Sequence, residues 1–469
     1  MIFFIKSPGA LAVGGDGVFE ENAALDDAGC SDRPVSIGID IGTTTISSAA
    51  VTDDGAAAAV YTIGNLSDIQ PAHSYEHTQD PVRIFDRVKR LLDFLIGRFP
   101  KTAAVGFTGQ MHGILYLDDA GAPVSPLYTW QDGRADAGDP SAADEIEKRT
   151  GYRLPAGYGL ATHFALARSG ELPEKAAVMT TVMDYVSSAL CGIVRPAIHV
   201  SNAASLGLFD IKKERFMPEA LEALGISGSL MPEVCGGGRV IGYYRSIPVT
   251  VAIGDNQASF LGSVKRPEST VLTNFGTGSQ ISVMLPKDAD LGAIKTGGPS
   301  VEIRPLNGGR YLMCGSALCG GKAYAILERF FRGYLDACGL PAGEQYEVMN
   351  RLAAAGLERD CPAVRTTFCG TRTDPDLTGS VTGITDENLT PQALAAGVLL
   401  GMARELRDMF ELMPNGNVTG LVASGNAARK NPALLKALSM VFGIDPVLPD
   451  VTEEAACGAA IFAGGNMRL

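Results

Sequence analysis

The stretch Val35-Ser36-Ile37-Gly38-Ile39-Asp40-Ile41-Gly42-Thr43-Thr44-Thr45-Ile46 decides the fold of the first half of the chain. Apolar residues alternate up to Asp40 and resume after Thr45, which predicts two strands joined by a Gly/Thr turn. Asn274-Phe275-Gly276-Thr277-Gly278-Ser279 repeats this arrangement in the second half. Glycine lets the backbone approach a ligand, and successive N–H groups and Thr hydroxyls suit anionic oxygens. Either turn alone fits an ordinary hairpin equally well. Two such turns, one in each half, favour a nucleotide's phosphates held by two lobes.

The length and charge of the chain limit the classes of protein to which it can belong. With 469 residues, the chain exceeds one ordinary core, so two large lobes are expected. A formal net charge of -13 without a long basic run argues against nucleic acid or an anionic membrane as partner. The nine cysteines form no CxxC pair and are odd in number, which argues against a disulfide framework or a zinc site. Reduced cysteines in a cytoplasmic protein fit this pattern best.

The first 33 residues are less regular than the rest. Met1–Ile5 is apolar for only five residues before Lys6 interrupts it, which is too short for a signal peptide. No later segment offers the roughly 18 uninterrupted apolar residues of a membrane span. We expect residues 1–33 to be an extension outside the chemistry. The sequence leaves open whether the chain forms a homodimer.

The remaining chain divides into an N-terminal lobe at 34–245 and a C-terminal lobe at 246–469. Helix and strand patterns alternate along it, which predicts α/β lobes. In the first lobe we predict an amphipathic helix through residues 84–96 and a buried strand at 104–108. We predict a loop at 236–244, including Tyr243-Tyr244, before the second lobe. That lobe should hold a helix from Pro391, a strand at 420–424, a helix from Pro432 to Gly443, and a closely packed helix of small residues at 452–463.

Two aspartates end predicted strands. Asp255 follows an apolar β-branched run, and a carboxylate in such a position can act as general base toward a sugar hydroxyl. Its alternative role, as the cap of a helix starting near Gln257, has equal weight. Asp40 could hold Mg²⁺ through water, but the sequence alone favours an Asx turn onto the amides of Gly42 and Thr43.

Two further segments suit contacts with a polyol. Gln110, Met111 and His112 lie between two glycines at a strand end, although a single His is more often structural. Trp130, the only tryptophan, precedes Asp132 and Arg134. An indole stacks on sugar C–H surfaces while Asp and Arg bind hydroxyls, yet a single Trp is as often a core anchor.

Glycine pairs in the second half suit an adenosine pocket. Gly425-Asn426 follows a predicted strand, and Gly320-Gly321 precedes a predicted helix from Lys322 to Phe331. Both pairs bring backbone close to a ligand, although an ordinary strand-ending turn is the favoured interpretation of the first. Lys322 is interpreted as a solvated lysine, because a cation at a helix N-terminus opposes the helix dipole.

In this order, the motifs resemble those of the FGGY family of carbohydrate kinases over nearly everything after Pro34. The matching segments are 40–45, 108–113, 254–258, 276–279, Gly425 and 454–460. The resemblance implies an α/β fold of two ribonuclease-H-like lobes, of the actin, hexokinase and Hsp70 superfamily, with a central cleft. It also implies that the chain is an enzyme that binds ATP, Mg²⁺ and a small-molecule sugar.

The resemblance gives each matched residue an expected role. Asp255 becomes the general base, and Asp40 and Asp255 lie on the metal side. Met111 and His112 become a sugar-contacting pair, Gly276 and Thr277 would hold phosphate, and Gly425 would line the adenosine pocket. The residue patterns described above add the remaining expected contacts: Gln110, Trp130, Asp132, Arg134 and Asn256 for the sugar, Gly42, Thr43, Thr44 and Thr45 for phosphate, and Gly320 and Asn426 for adenosine.

Within the family, residues 109–113 resemble the xylulokinase and sedoheptulokinase branches. Residues 129–134 and 316–322 favour the second branch, with Cys319 and Lys322 departing from its pattern. The resemblance therefore implies phosphorylation of a ketose at its terminal hydroxyl, with sedoheptulose first and D-xylulose second. A catalytically inactive sugar or nucleotide sensor on the same fold is a remoter alternative, and an actin-type chaperone or filament protein is more remote still.

Overall fold

The computed structural model describes residues 11–13, 17–21, 33–292, 294, 301–341, 343–371, 374, 376–414 and 418–465. Most of the predicted extension at residues 1–33 therefore lies outside the described residues. The strands are β1 Leu11–Val13, β2 Gly17–Glu21, β3 Val35–Ile41, β4 Thr45–Thr52, β5 Ala57–Gly64, β6 Thr78–Gln79, β7 Thr102–Gly109, β8 Leu115–Leu117, β9 Leu127–Tyr128, β10 Val178–Thr180, β11 Ala197–His199, β12 Phe209–Asp210, β13 Arg215–Phe216, β14 Glu233–Cys235, β15 Val240–Tyr244, β16 Ile247–Thr250, β17 Thr270–Phe275, β18 Ser279–Met284, β19 Val301–Asn307, β20 Arg310–Ala317, β21 Ala363–Arg365, β22 Ser380–Thr382, β23 Gly420–Ser424 and β24 Pro446–Val447.

The α-helices alternate with these strands along the chain. They are α1 Pro81–Arg98, α2 Ala142–Thr150, α3 Gly159–Ser169, α4 Val182–Leu190, α5 Val200–Ser205, α6 Pro218–Ala223, α7 Asp255–Ser263, α8 Gly321–Ala337, α9 Tyr346–Gly356, α10 Pro391–Glu411, α11 Asn426–Lys430, α12 Pro432–Phe442 and α13 Glu454–Ala463. None of the helices in the described part of the chain has the length and apolar character of a membrane span.

The chain packs into two compact units. The first comprises the described residues up to Gly262, Pro305–Gly308 and residues 453–465, and the second comprises the described residues within 263–304 and 309–452. The lobe boundaries at 33/34 and 245/246 stay predictions, since they come from sequence patterns and not from packing.

The sheet of the first unit has the strand order β1-β2-β5-β4-β3-β7-β16-β15. Strands β3, β4 and β5 are antiparallel neighbours, whereas β7 runs parallel to β3 and β16 runs parallel to β7. Ile41 pairs with Ile46 across the first Gly/Thr turn, so the predicted hairpin is confirmed. Helix α1 also confirms its prediction, because Ile84, Val88 and Leu91 are fully buried on its inner face.

The small residues of α13 explain how closely it packs. A Cβ at Gly38 of β3 would lie 1.9 Å from the carbonyl oxygen of Ala456, and one at Gly106 of β7 would lie 2.2 Å from that of Ala459. Helix and sheet approach until only glycine fits beneath them. The predicted close packing of the last helix is confirmed, and it takes place on the first unit's sheet.

The region between β7 and β16 builds a second core in the first unit. Its buried members include Ile114, Tyr116, Ile146 and Phe164. Tyr243 and Tyr244 were predicted to lie in a loop, and this prediction is wrong. Both residues belong to β15, which pairs with β16 at the edge of the sheet. A Gly-rich stretch precedes them, and the exposure natural to an edge strand resembles that of a loop.

The sheet of the second unit has the strand order β19-β20-β18-β17-β23-β24. Strands β20, β18 and β17 are antiparallel, and β17, β23 and β24 are parallel. This is the arrangement of β5, β4, β3, β7 and β16, so the two units share one topology. Phe275 pairs with Ser279 across the second turn, which confirms the second predicted hairpin.

The predicted helices of the second half are confirmed as well. Thr390 accepts a hydrogen bond from the Ala393 amide at the start of α10, and Gly443 ends α12 in the left-handed region. The cysteines of the described residues are free thiols, and Cys314, Cys319 and Cys457 are buried. This agrees with the interpretation of reduced cysteines.

Candidate active site

The first unit brings three carboxylates together. Asp40 is the last but one residue of β3, Asp255 begins α7, and Glu453 directly precedes α13. Burial, followed by the charges of Asp255 and Glu453, raises the pKa of Asp40 from an ordinary 3.8 to about 7. The sequence motifs did not include Glu453. The sequence offers only a weak sign of this role for Glu453. It is an acidic residue just before a helix of small residues, and it lies far along the chain from Asp40.

This carboxylate group suits a divalent cation. The negative charges of Asp255 and Glu453 disfavour the ionised form of Asp40, and a bound cation would favour that form instead. Within the described residues, no set of three His, Cys, Asp or Glu side chains is placed to hold a metal directly. Mg²⁺ fits such a site, because it is commonly held by one or two carboxylates and keeps several of its waters. Burial and the two neighbouring carboxylates are the causes of the raised pKa of Asp40, and no hydrogen bond from the amides of Gly42 or Thr43 is among them. The Asx turn onto these amides stays a prediction.

Asp255 occupies the N-terminal end of α7. The helix begins at Asp255 itself, ahead of the predicted start near Gln257. The Asn256 amide donates to Oδ1 of Asp255 at 2.5 Å, and the helix dipole favours a negative charge at this end. These features are compatible with both alternatives, the cap and the base.

Side chains from α5 hold the segment that carries Asp255. The Gly254 amide donates to Oγ of Ser201 at 2.9 Å, and Nδ2 of Asn202 donates to the Ala252 carbonyl at 2.9 Å. Met111 packs beneath the same segment, since a Cβ at Gly254 would lie 2.9 Å from its Sδ. Met111 is 3% exposed, so its contacts support the peptide backbone around Asp255. Sequence reasoning missed Ser201 and Asn202, because they belong to no motif and lie about 50 residues before Gly254 and Ala252, their hydrogen-bond partners.

A buried amide network fixes the first Gly/Thr turn. Nε2 of Gln79 donates to the Thr43 carbonyl at 2.8 Å, and Nε2 of Gln110 donates to Oε1 of Gln79 at 2.8 Å. Nδ2 of Asn65 donates to the Gly42 carbonyl at 2.7 Å. Gln110, which the sequence placed among the sugar contacts, is thus engaged in holding the turn, and its contact with a sugar stays a prediction. Thr44 and Thr45 are exposed on it.

Trp130 lies against this turn. Its indole Nε1 donates to Oγ1 of Thr43 at 3.1 Å, and the side chain is 49% exposed. The alternative of a core anchor is therefore wrong. A half-exposed indole face, fixed at one edge by a hydrogen bond, is suited to stacking on an apolar ligand surface.

Asp132 and Arg134 form a buried ion pair. Oδ1 of Asp132 accepts from Nε of Arg134 at 2.6 Å, and Oδ2 accepts from Nη2 at 3.0 Å. Oδ2 of Asp132 also accepts from the His77 amide, and Asp132 has no exposed surface. The guanidinium lies 4.5 Å from the ring centre of Tyr128. These contacts support a structural role in holding the loop of Trp130, and a direct sugar contact stays a prediction for both residues.

His112 is held in an unusual conformation. Its φ of 74° lies in the left-handed region, which a non-glycine residue adopts at some cost. The ring stacks on Tyr158 with centres 4.3 Å apart, and Nδ1 lies 2.7 Å from the Ser205 carbonyl. Because a carbonyl only accepts, Nδ1 carries a proton and donates this hydrogen bond. Backbone strain is often retained at functional positions.

In the second unit, the other Gly/Thr turn rests on the start of α8. The Gly321 amide donates to the Gly276 carbonyl at 2.9 Å, and the Lys322 amide donates to the Thr277 carbonyl at 3.1 Å. A Cβ at Gly320 would lie 2.3 Å from the Gly278 backbone. The structure therefore brings Gly276, Thr277 and Gly320 together. Lys322 is exposed, as expected of a solvated lysine.

A cavity of about 480 Å³ adjoins these elements. Gly321 and Asn426 line it, together with Tyr324 and Tyr346, whose rings stack with centres 6.3 Å apart. Gly425 has a φ of 87°, and a Cβ there would lie 2.5 Å from the Phe275 carbonyl oxygen, so only glycine fits. The volume and the aromatic walls suit a nucleoside-sized ligand.

Two sheets of equal topology, each with a Gly/Thr turn, are the features of the two-domain actin- and hexokinase-like fold. Residues 35–262 match the N-terminal domain of the FGGY family of carbohydrate kinases, and residues 271–467 match its C-terminal domain. The chain belongs to the FGGY family of carbohydrate kinases. It is a sugar kinase, and kinases of this family use ATP as phosphate donor.

Individual relatives agree with this assignment. Sedoheptulokinase from Mus musculus is 28% identical, with 92% of this chain and 97% of the relative covered. The Homo sapiens sedoheptulokinase is 27% identical over the same shares. Among solved structures, xylulose kinase from Rhodospirillum rubrum superposes with a TM-score of 0.77 at 23% identity, covering 93% of this chain and 91% of that one. The predicted fold and family are confirmed.

Proposed function

We propose that this kinase transfers the terminal phosphoryl group of ATP to the terminal hydroxyl of sedoheptulose, giving sedoheptulose 7-phosphate. The choice of sedoheptulose as substrate rests on the similarity to two sedoheptulokinases over 92% of the chain. The half-exposed Trp130 beside the first turn supports a sugar bound on the first unit.

Asp255 accepts the proton of the attacking hydroxyl in this proposal. Its carboxylate is at a helix N-terminus, on a segment fixed by Ser201 and Asn202, so it is held in place before the sugar binds. Pre-organisation of this kind keeps the base within reach of the acceptor oxygen. Such a base typically contributes about 10²–10⁴-fold to the rate.

Asp40 and Asp255 would hold Mg²⁺ in the proposed mechanism. When bound, the cation neutralises charge on the phosphate oxygens and orients them. The exposed Thr44 and Thr45 supply N–H and hydroxyl donors to phosphate on the first unit, and Gly276 and Thr277 are the corresponding phosphate-binding residues of the second unit. Gly425 and Asn426, with Gly320, border the nucleoside.

The substrate is tested by sugar-dependent ADP release with Mg²⁺-ATP. Sedoheptulose, D-xylulose, D-ribulose, L-ribulose and glycerol are compared by kcat/KM. A lead for sedoheptulose is the expected result. A lead for D-xylulose would overturn the substrate and keep the mechanism, and this second candidate is supported by the fold similarity to a xylulose kinase. A lead for neither ketose would reject both assignments.

The base is tested by Asp255→Asn, which keeps the size of the side chain. We expect turnover to fall by at least about 10²-fold while ATP affinity changes little. Asp386→Asn, an exposed position, is the matched control because it removes the same charge. Unchanged turnover of Asp255→Asn would reject Asp255 as the base.

A further inference from the structure

Two cysteine thiols of the second unit lie within hydrogen-bonding reach of each other. They belong to Cys319, between β20 and α8, and to Cys369, which follows β21. Both are free thiols, and both pack in the core of this unit. Cys319 departs from the pattern of the sedoheptulokinase branch, so the resemblance gives it no role. Two thiols in contact are suited to forming a disulfide by thiol–disulfide exchange.

The segment that carries Cys369 is anchored to its surroundings. Oγ1 of Thr366 donates to Oε2 of Glu405 on α10 at 2.6 Å, and Oγ1 of Thr367 donates to the Thr378 carbonyl at 3.0 Å. These hydrogen bonds hold the chain immediately before Cys369. The contact between the two thiols is therefore built into the fold of the second unit.

The two thiols differ in their access to solvent. Cys319 is 1% exposed, whereas Cys369 is partly exposed. Burial, followed by the hydrogen bond with Cys369, raises the pKa of the Cys319 thiol above its ordinary 9.0. A small disulfide from solution therefore meets Cys369 first. A thiol of raised pKa is also a poor leaving group, so a disulfide that includes Cys319 is slow to reopen at that sulfur.

We propose that Cys319 and Cys369 form a reversible disulfide, with a low-molecular-weight disulfide as the oxidant, and that this bond weakens ATP binding by the second unit. The Cys369 thiolate attacks one sulfur of the oxidant, forms a mixed disulfide and releases one small thiol. Sγ of Cys319 then attacks Sγ of Cys369 and displaces the second small thiol. The two protein thiols lose two electrons and two protons, and the oxidant gains both as it becomes two thiols.

The second Gly/Thr turn receives the resulting movement. The S–S bond of about 2.05 Å is much shorter than the distance between two non-bonded sulfur atoms, so its formation draws Cys319 toward Cys369. Gly320 follows Cys319 directly and lies against the turn, because a Cβ at Gly320 would lie 2.3 Å from the Gly278 backbone. The Gly321 amide also donates to the Gly276 carbonyl. The effect on ATP rests on the proposed function, in which this turn holds phosphate.

Oxidation of the full chain with oxidised glutathione tests the proposal. Mass spectrometry of unreduced peptides should find Cys319 linked to Cys369. The dissociation constant of Mg²⁺-ATP, measured by calorimetry without sugar, should rise at least about tenfold, because a displacement of about 1 Å costs up to 10²-fold. Dithiothreitol should restore the native value. Two thiols that stay free, a glutathione adduct that remains on Cys369 alone, or a disulfide that leaves ATP affinity unchanged would each overturn the proposal.

Single substitutions test the order of the two steps. Cys369→Ser should keep its ATP affinity after oxidation, and Cys319→Ser should accumulate the glutathione adduct on Cys369. Cys338→Ser, which removes an exposed thiol after α8, is the matched control and should respond like the native chain. Loss of ATP affinity by oxidised Cys369→Ser would reject the pair, and this variant does not depend on replacing the buried Cys319. Reduced native protein that binds no Mg²⁺-ATP would overturn the proposed function and the effect on ATP with it, whereas a missing disulfide overturns the thiol pair alone.

Discussion

Replacing Asp40 with asparagine should stabilise the protein in the absence of nucleotide and metal. The carboxylate is partly buried beside Asp255 and Glu453, which raises its pKa from 3.8 to about 7. Between these two pH values the folded chain holds a proton that the unfolded chain has lost. Stability therefore falls as pH rises through this window. The amide of the Asp40→Asn variant carries no charge, so the variant should escape this loss.

The size of the effect follows from the pKa. A difference of about 3 pKa units at 1.36 kcal/mol each corresponds to at most ~4 kcal/mol above pH 8, and to nothing near pH 4. Burial is the first cause of the rise, so water that reaches the partly exposed carboxylate would reduce this figure. We expect a gain of at least ~1 kcal/mol at pH 8 on these grounds.

The assay is urea unfolding of native and Asp40→Asn protein at pH 4, 6 and 8 without ligands. The gain in free energy of unfolding should grow with pH. Asp386→Asn, which removes an exposed carboxylate, should show no such trend. A pH-independent difference between Asp40→Asn and the native chain would refute the reasoning, because a lost contact would give a constant effect. The same variant should lose most of its Mg²⁺-dependent turnover.

Three further predictions concern other parts of the molecule. At low Mg²⁺, kcat/KM should rise from about pH 6 to about pH 8 as Asp40 loses its proton. Saturating Mg²⁺ should move the midpoint of this rise to lower pH, because a cation favours the carboxylate. The pH profiles of kcat/KM at two Mg²⁺ concentrations check this, and identical midpoints would contradict it. Trp130→Ala should raise KM for the sugar about tenfold, or ~1.4 kcal/mol, and Trp130→Phe should raise it less. A change in KM for ATP and not for the sugar would contradict the proposed contact between the indole and the sugar. Gly38→Ala should destabilise the chain by ~1–3 kcal/mol through overpacking, since its Cβ would lie 1.9 Å from a carbonyl oxygen. Gly97→Ala, at an open helical position, should be neutral or stabilise by up to ~1 kcal/mol. Equal changes in the free energy of urea unfolding for Gly38→Ala and Gly97→Ala would contradict the close packing of α13 on the sheet.

Both glycine turns and most helices could be predicted from the sequence because their signals are local. Alternating apolar residues on both sides of 42–45 and 276–279 specify hairpins, and Thr390 with Pro391 specifies a helix start. The order of motifs also identified the family, since its matching segments run along most of the chain. Tyr243 and Tyr244 mark the limit of such signals, because the exposure of an edge strand resembles that of a loop.

The tertiary structure alone decided which side chains meet. It placed Trp130 against Thr43, 87 residues away, and thereby separated a surface indole from a core anchor. It paired Asp132 with Arg134 in a buried position and brought Glu453 near Asp40. Neighbours distant in sequence leave no periodic trace in a single chain, and burial and charge act on a side chain only after the sheets have assembled. The residue types of the site could thus be read from the sequence, whereas their partners and the pKa of Asp40 depend on the folded chain.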